Sequence, residues 1–371
     1  MRGIGCRFGD LQIPPVFKID GMPSVLVMDY EDVVRVLRSN DFEHDFYPMF
    51  GGETLIHLNG EKHRRYRKLL AGVFSPRAMK VWEECAQSAL EVLLAPLHGR
   101  RSVDLLPCVV RPYPATVFAR IMDFPAADAD RVRALGVFQG AAGIDPDLSA
   151  YAAETEAYLA GFVDERSALS DEDLAARQDA ISLLIRSRLG EERLTRDEIM
   201  ATCQLLVIGG VDTTHHALAN VLYMLLTHAD VLEEVKRDRS LVPAAMEETM
   251  RLIPSAGIVE VRRAVRDVEI GGVDVAAGTP VVTCEMTANR DPMLWPAPDV
   301  FDIHRKHEQH LSFATGPINV LGMHLARMQI RVALNTIFDI HPDICLDDRA
   351  PRPRVKGFLS EGPSALPVIL G

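Results

Sequence analysis

Apolar positions recur every three or four residues through most of this chain, and every second residue in only a few short stretches. The pattern predicts helices with a minor share of strand. The first clear signal is Ser24-Val-Leu-Val-Met28, a short buried strand, followed by Asp29 placed to cap a helix over 30–39. Residues 1–23 show no strong periodicity, and 40–56 mix Gly, Pro and aromatics as a loop does. Ser75 as N-cap with Pro76 at the first helical position opens a helix over 77–97. Helical spacing returns over 115–123, 151–168 and 179–189. Thr195-Arg-Asp-Glu198 is a capping box that opens a run to about Thr227, long enough to cross most of a domain. Near its middle lie Gly209-Gly210-Val211-Asp212-Thr213-Thr214. Two glycines inside a buried helix cost about 1 kcal/mol each relative to Ala, so they call for a reason. Residues 259–263 and 268–275 alternate as paired strands do, with Gly271-Gly272 as a turn signal. No repeat and no low-complexity linker divides the chain, which predicts a single domain over 1–371.

Composition narrows the function classes. The chain has 371 residues, 48% hydrophobic and 25% charged, as in an ordinary globular protein. A net charge of -12 argues against a nucleic-acid partner. No apolar run approaches the roughly 20 residues that span a bilayer, and the N-terminus lacks a signal-peptide hydrophobic segment, so no membrane association and a cytoplasmic location are expected. Cys6, Cys85, Cys108, Cys203, Cys284 and Cys345 are scattered without C-x-x-C spacing and read as single thiols rather than a zinc site or a disulfide framework.

The candidate chemistry lies in short motifs, each weak alone. His63-Arg-Arg-Tyr-Arg67 puts His63 and Arg67 one helical turn apart on one face. Glu248-Thr-Met-Arg251 is an E-x-x-R on a helix ending before Pro254; Ala288-Asn-Arg-Asp-Pro292 and Phe301-Asp-Ile-His-Arg305 follow it. His310-Leu-Ser-Phe313 leads into Phe313-Ala-Thr-Gly-Pro-Ile-Asn-Val-Leu-Gly-Met-His-Leu-Ala-Arg327. In this order, over about 24–370, these stretches resemble the cytochrome P-450 superfamily, bacterial soluble class. The family's ligand loop and the helix after it read Phe-Gly-x-Gly-x-His-x-Cys-x-Gly-x-x-Leu-Ala-Arg. Phe313, Gly316, Gly322, Leu325, Ala326 and Arg327 fall on that pattern; Ala314, Ile318 and Val320 replace its first Gly, its His and its Cys.

The resemblance implies a mainly α-helical cytochrome P-450 fold with a small β-rich region and a haem cofactor. It implies that His63, Arg67, Arg263 and His310 meet the haem propionates and that Gly209 and Gly210 form the distal wall. Asp212 and Thr213 would relay protons to bound oxygen, while Phe313 and Val320 would mark the proximal side. Glu248, Arg251 and Arg305 would lock the core. Met323 and His324 fall where the family varies and faces away from the iron. The tail, 362–370, resembles the terminal hairpin that points into the substrate pocket. Val320 contradicts the chemistry, because the Cys thiolate holds the iron and drives O–O cleavage, and an isopropyl group has no lone pair. The apolar Ile318 and Val320 predict a dry, packed loop there.

Three functions remain open at this point. One is a haem-binding oxidoreductase of monooxygenase type, with altered or impaired oxygen chemistry on a small hydrophobic metabolite and with a redox partner. Another is a haem-free accessory protein that activates a partner enzyme, as Cys-less members of the superfamily do for glycosyltransferases in antibiotic pathways. The third is a non-redox enzyme or binder using the old substrate pocket. Asp212 and Thr213 favour the first and third; the loss of Cys favours the second and third.

Overall fold

The computed structural model describes residues 7–8, 11–12, 16–18, 24–44, 54–137, 148–256, 260–306, 309–356 and 362–371. Helices dominate, and one of them, Arg196–Thr227, runs about 48 Å through the middle of the molecule. Its start is fixed locally: Thr195 Oγ1 accepts from Glu198 N at 3.2 Å, and Glu198 Oε2 accepts from Thr195 N at 2.7 Å. The helix is apolar on most of its circumference because helices surround it. Pro112–Ile121, Ala129–Val137, Leu148–Ser167, Val242–Leu252 and Met323–Ile340 all pack on it. Leu218, Val221, Leu222 and Leu225 on its C-terminal half are completely buried.

The predicted caps form. Asp29 accepts from Asp32 N at 2.8 Å ahead of Tyr30–Arg38, and Ser75 accepts from Ala78 N at 3.3 Å ahead of Pro76–Leu94. The expected helix over 179–189 is shorter: Ala180–Arg186 ends where Ser187 turns extended, its hydroxyl donating to Leu183 O.

Strand pairing differs from the expectation. Glu260–Ala264 pairs with Pro280–Thr283 and Phe42–His44, not with 268–275. The latter stretch is a hairpin of its own, Val268–Ile270 with Val273–Val275, turning through Gly271 (φ 55°) and Gly272 (φ 83°). Two consecutive positive φ angles match the twist of such a hairpin and favour glycine. The five-stranded sheet runs Val16–Lys18, Val25–Val27, Pro280–Thr283, Glu260–Ala264, Phe42–His44, with one parallel pair between Val25–Val27 and Pro280–Thr283. Thus Phe42–His44, expected as loop, is an edge strand, and 45–53 lie outside the described residues. The tail is split as well: Gly362–Pro363 pairs with Val355–Lys356, whereas Pro367–Ile369 pairs with Ser102–Asp104 and Cys345–Leu346.

Glu248 and Arg251 are buried together. Arg251 Nε donates to Glu248 Oε2 and its Nη2 to Oε1, both at 2.8 Å. Arg305 Nε and Asp302 N each reach Glu248 Oε1 at 3.2 Å. This network ties Val242–Leu252 to the irregular segment that carries the chain towards residue 313.

Candidate functional site

Two parts of the chain carry most of the candidate residues: the middle of the central helix and the loop from Phe313 to Gly322. On the helix, the two glycines serve different purposes. A Cβ on Gly210 would lie 1.9 and 2.1 Å from the ring of Phe118, so glycine there admits an aromatic ring against the helix backbone. A Cβ on Gly209 would meet nothing within 4 Å. Gly209 is the position that leaves space. Thr213 Oγ1 donates to Gly209 O at 2.6 Å, a bond that ties the hydroxyl back to its own helix. Asp212 lies beside two imidazoles, its Oδ1 3.5 Å from His215 Nδ1 and 3.7 Å from His216 Nδ1.

The loop from Phe313 to Gly322 is held by arginines. Arg67, on Gly60–Leu70, donates from Nη1 to Asn319 O at 2.6 Å. Arg38 donates from Nε and Nη2 to Thr315 Oγ1 at 3.1 and 2.8 Å. Val320 N donates to Phe313 O at 3.0 Å and closes the loop. Ala314 sits at φ 54°, in the left-handed region, where a side chain costs about 1 kcal/mol or more relative to glycine. The expectation of a dry, packed loop holds for half of it. Ile318 packs on the cluster around Val33, Val36 and Leu37, but Val320 is 39% exposed. The backbone turn sends the two side chains in different directions, which residue type alone does not reveal.

A basic cluster adjoins this loop through Arg67. His63 is buried, and its pKa is pushed down to about 4, by burial first and then by the charges of Arg67, His44, Arg262 and Arg64. The rings of His44 and His63 lie 5.9 Å apart. The arginine that faces His63 is Arg262, not Arg263. Arg262 is buried and lies opposite His44 across the strand pair, whereas Arg263 Nη1 donates to Gly278 O at 2.5 Å. Neighbouring residues on a strand point to opposite faces, so only one of two consecutive arginines can join the cluster. Sequence reasoning missed Arg262, though the period of two flagged that a choice existed.

His310 is engaged by protein on both ring nitrogens. Nε2 donates to Glu247 Oε2 at 3.0 Å, and Nδ1 accepts from Ser312 N at 3.2 Å. Glu247 also receives Arg327 Nε and Nη2, both at 2.7 Å. Burial works to raise the Glu247 pKa, but the hydrogen bonds from His310 and Arg327 outweigh it and hold the pKa at about 2. The Arg327 guanidinium lies 4.7 Å from the centre of the Phe313 ring, a cation–π contact that fixes Phe313 at the start of the loop.

These donors suit a haem at its rim and not below its iron. The buried Arg262 and the half-buried Arg67 complement two carboxylates, and Gly209 leaves space on the helix side. Val320 offers the iron no lone pair. Among the described residues, the cysteines sit on other elements: Cys85 on Pro76–Leu94, Cys108 within Leu106–Val110, Cys203 on the central helix, Cys284 capping Glu285–Ala288 and Cys345 on Cys345–Leu346. Burial pushes the Cys203 thiol up to about 12, away from thiolate chemistry.

The fold is mainly helical with small sheets, and the cluster at its site is basic and partly buried. A family model described as Cytochrome P-450 matches residues 144–340, and the chain belongs to that family. It is 30% identical to mycinamicin IV hydroxylase/epoxidase of Micromonospora griseorubida, over 98% of this chain and 94% of that protein. It is 31% identical to nocardicin C N-oxygenase of Nocardia uniformis subsp. tsuyamanensis, over 92% of this chain and 88% of that protein. Its structure resembles that of CYP109E1 from Bacillus megaterium in complex with testosterone, with a TM-score of 0.85, 26% identity and 96% of each chain covered. The mainly helical fold with small sheets expected from the motifs is therefore the fold of this chain. Among the described residues, no helix is long and apolar enough to cross a membrane.

Proposed function

We propose that the chain is a haem-binding cytoplasmic oxidoreductase of monooxygenase descent, acting on a small hydrophobic metabolite with oxygen chemistry altered at Val320. The observation that carries this reading is the basic cluster of buried His63 and Arg262 with half-buried Arg67, taken with Gly209, a position of the central helix where a Cβ would meet nothing within 4 Å. Haem, when bound, supplies oxygen activation at its iron, with electrons from a redox partner. Arg262, Arg67 and His63 hold its carboxylates, and Arg67 does so while keeping its bond to Asn319 O. His310 joins them only by giving up Glu247. Arg263 contributes charge from the other face of its strand. Asp212 and Thr213 hold and pass a proton on the helix side, and Gly210 keeps Phe118 seated beside them. Phe313 and Val320 line the opposite side, where Val320 leaves the iron without thiolate. Hydroxylase, epoxidase and N-oxygenase relatives support oxygen insertion as the ancestral reaction.

A second reading, a haem-free activator of a partner enzyme such as a glycosyltransferase, is favoured by one observation. Arg67 and His310, both expected at the propionates, already have protein partners. Haem titration of the purified chain with optical detection separates the two. Stoichiometric uptake without the red-shifted Soret band of reduced, CO-treated haem-thiolate proteins is the expected result. No uptake from excess haem would remove the oxidoreductase reading and leave the activator and the non-redox binder.

A further inference from the structure

Asp212, His215 and His216 stand together on one face of the central helix, and neither imidazole has a role in the reading above. Spacing i, i+3, i+4 places the three side chains within about 100° of arc, one turn deep. One ligand atom from each lies within 4.8 Å of one from each of the others. The carboxylate oxygen Oδ1 is 3.5 Å from His215 Nδ1 and 3.7 Å from His216 Nδ1, long for hydrogen bonds. Those separations are close to the spacing of ligands around a metal. Bonds of about 2.0–2.1 Å in a tetrahedral site set neighbouring donor atoms about 3.3 Å apart. The two rings lie 3.9 Å apart, tilted by 40°, so small side-chain rotations turn their nitrogens towards a common point. We propose that Asp212, His215 and His216 form a binding site for a divalent first-row transition metal ion, Zn2+ in the first place.

The donor set fits that class. Two imidazoles and one carboxylate suit zinc, cobalt, nickel or ferrous iron, and they exclude the soft thiolate-seeking ions. Three protein ligands leave a position open to water or to a ligand in the pocket, as in zinc sites that do chemistry. The surroundings hold the donors in place. His216 Nδ1 donates to Asp212 O at 3.0 Å, and the Cδ2 edge of that ring lies against Gly362, where a Cβ would come within 2.9 Å. Ligation through Nε2 keeps the carbonyl bond as the support of the ring. Ligation through Nδ1 needs the neutral ring's other tautomer and gives that bond up. The side chains of Asp212 and His216 are 15% and 21% exposed, so an ion can reach them.

The test uses the full chain without a histidine tag, freed of metal by chelator and titrated with Co2+ under optical detection. The expected result is one Co2+ per chain, with visible ligand-field bands of a four- or five-coordinate ion that Zn2+ abolishes. His216→Ala and His215→Ala should each weaken binding at least tenfold, and Asp212→Asn should do the same; His304→Ala, exposed on another segment, should change nothing. Should the buried His215 variant fail to fold, His216→Ala and Asp212→Asn carry the comparison. Absence of stoichiometric binding, or binding unchanged in His216→Ala and Asp212→Asn, would overturn the proposal. The readout does not require haem, so its failure is distinguishable from failure of the oxidoreductase reading; an ion bound here takes Asp212 out of the proton path.

Discussion

Replacing Arg251 by Ala removes a buried cation that five hydrogen bonds hold. The guanidinium donates twice to Glu248, once to Asn289 O at 3.0 Å, once to Pro298 O at 2.7 Å and once to Val300 O at 3.4 Å, and lies 5.7 Å from the Trp295 ring centre. The Glu248 side chain is completely buried. After the substitution it keeps Arg305 Nε and Asp302 N, both at 3.2 Å, so one cation remains for it, at the longer distance. Breaking one side of a buried, hydrogen-bonded pair costs about 3–5 kcal/mol. Unfolding entropy near 2.1 cal/mol/K per residue over 371 residues converts that loss into a fall in Tm of about 4–6 °C. Thermal unfolding followed by circular dichroism is the assay, with one cooperative transition expected if the chain is a single domain. Arg133→Ala is the control: its partner Asp130 is 91% exposed, and such pairs contribute little. The triple variant Glu248→Leu, Arg251→Met, Arg305→Met should lose less than Arg251→Ala, because no charge of the network is then left unpaired. An Arg251→Ala melt within about 1 °C of the wild type would refute the argument that this pair locks the core.

Other outcomes follow from particular atoms. Gly210→Ala should destabilise by about 1–3 kcal/mol in urea unfolding, since Phe118 must move, whereas Gly209→Ala should be neutral or stabilise by up to about 1 kcal/mol. Equal effects at the two positions would contradict the packing described. In haem titration, Arg262→Ala should weaken binding by about 10- to 150-fold, the loss of one charge-assisted hydrogen bond, and Arg263→Ala should weaken it much less; the reverse order would return the role to Arg263. Val320→Cys should bring partial thiolate character to the reduced, CO-treated spectrum, limited by Ala314 and Ile318; a haem complex of this variant with none would show that residue 320 does not face the iron. The Glu247 pKa is lowered from about 4.5 to about 2 on folding, so its contribution is complete above pH 4.5 and lost as pH falls towards 2. Urea midpoints should therefore fall across that window, and Glu247→Gln should flatten the decline; an unchanged slope would mean that the pairing with His310 and Arg327 is weak.

The sequence alone determined the fold class, the capped starts at Asp29, Ser75 and Thr195, the central helix and the order of motifs that identifies the family. These are short-range facts: a cap acts within one turn, and helical periodicity is written in consecutive residues. It also located the chemistry that the site lacks, because no conformation of Val320 can supply a lone pair. Tertiary structure decided the rest. It chose Arg262 over Arg263 for the basic cluster, since the pairing with Phe42–His44 and Pro280–Thr283 sets which strand face turns inward. It gave Gly209 and Gly210 separate duties, because Phe118 comes from another helix more than ninety positions away. It occupied His310 with Glu247 and Arg67 with the Asn319 carbonyl, contacts spanning 63 and 252 positions that no local pattern announces. Long-range pairing depends on how the helices stack, and the stacking is settled by the whole core rather than by the residues at the site.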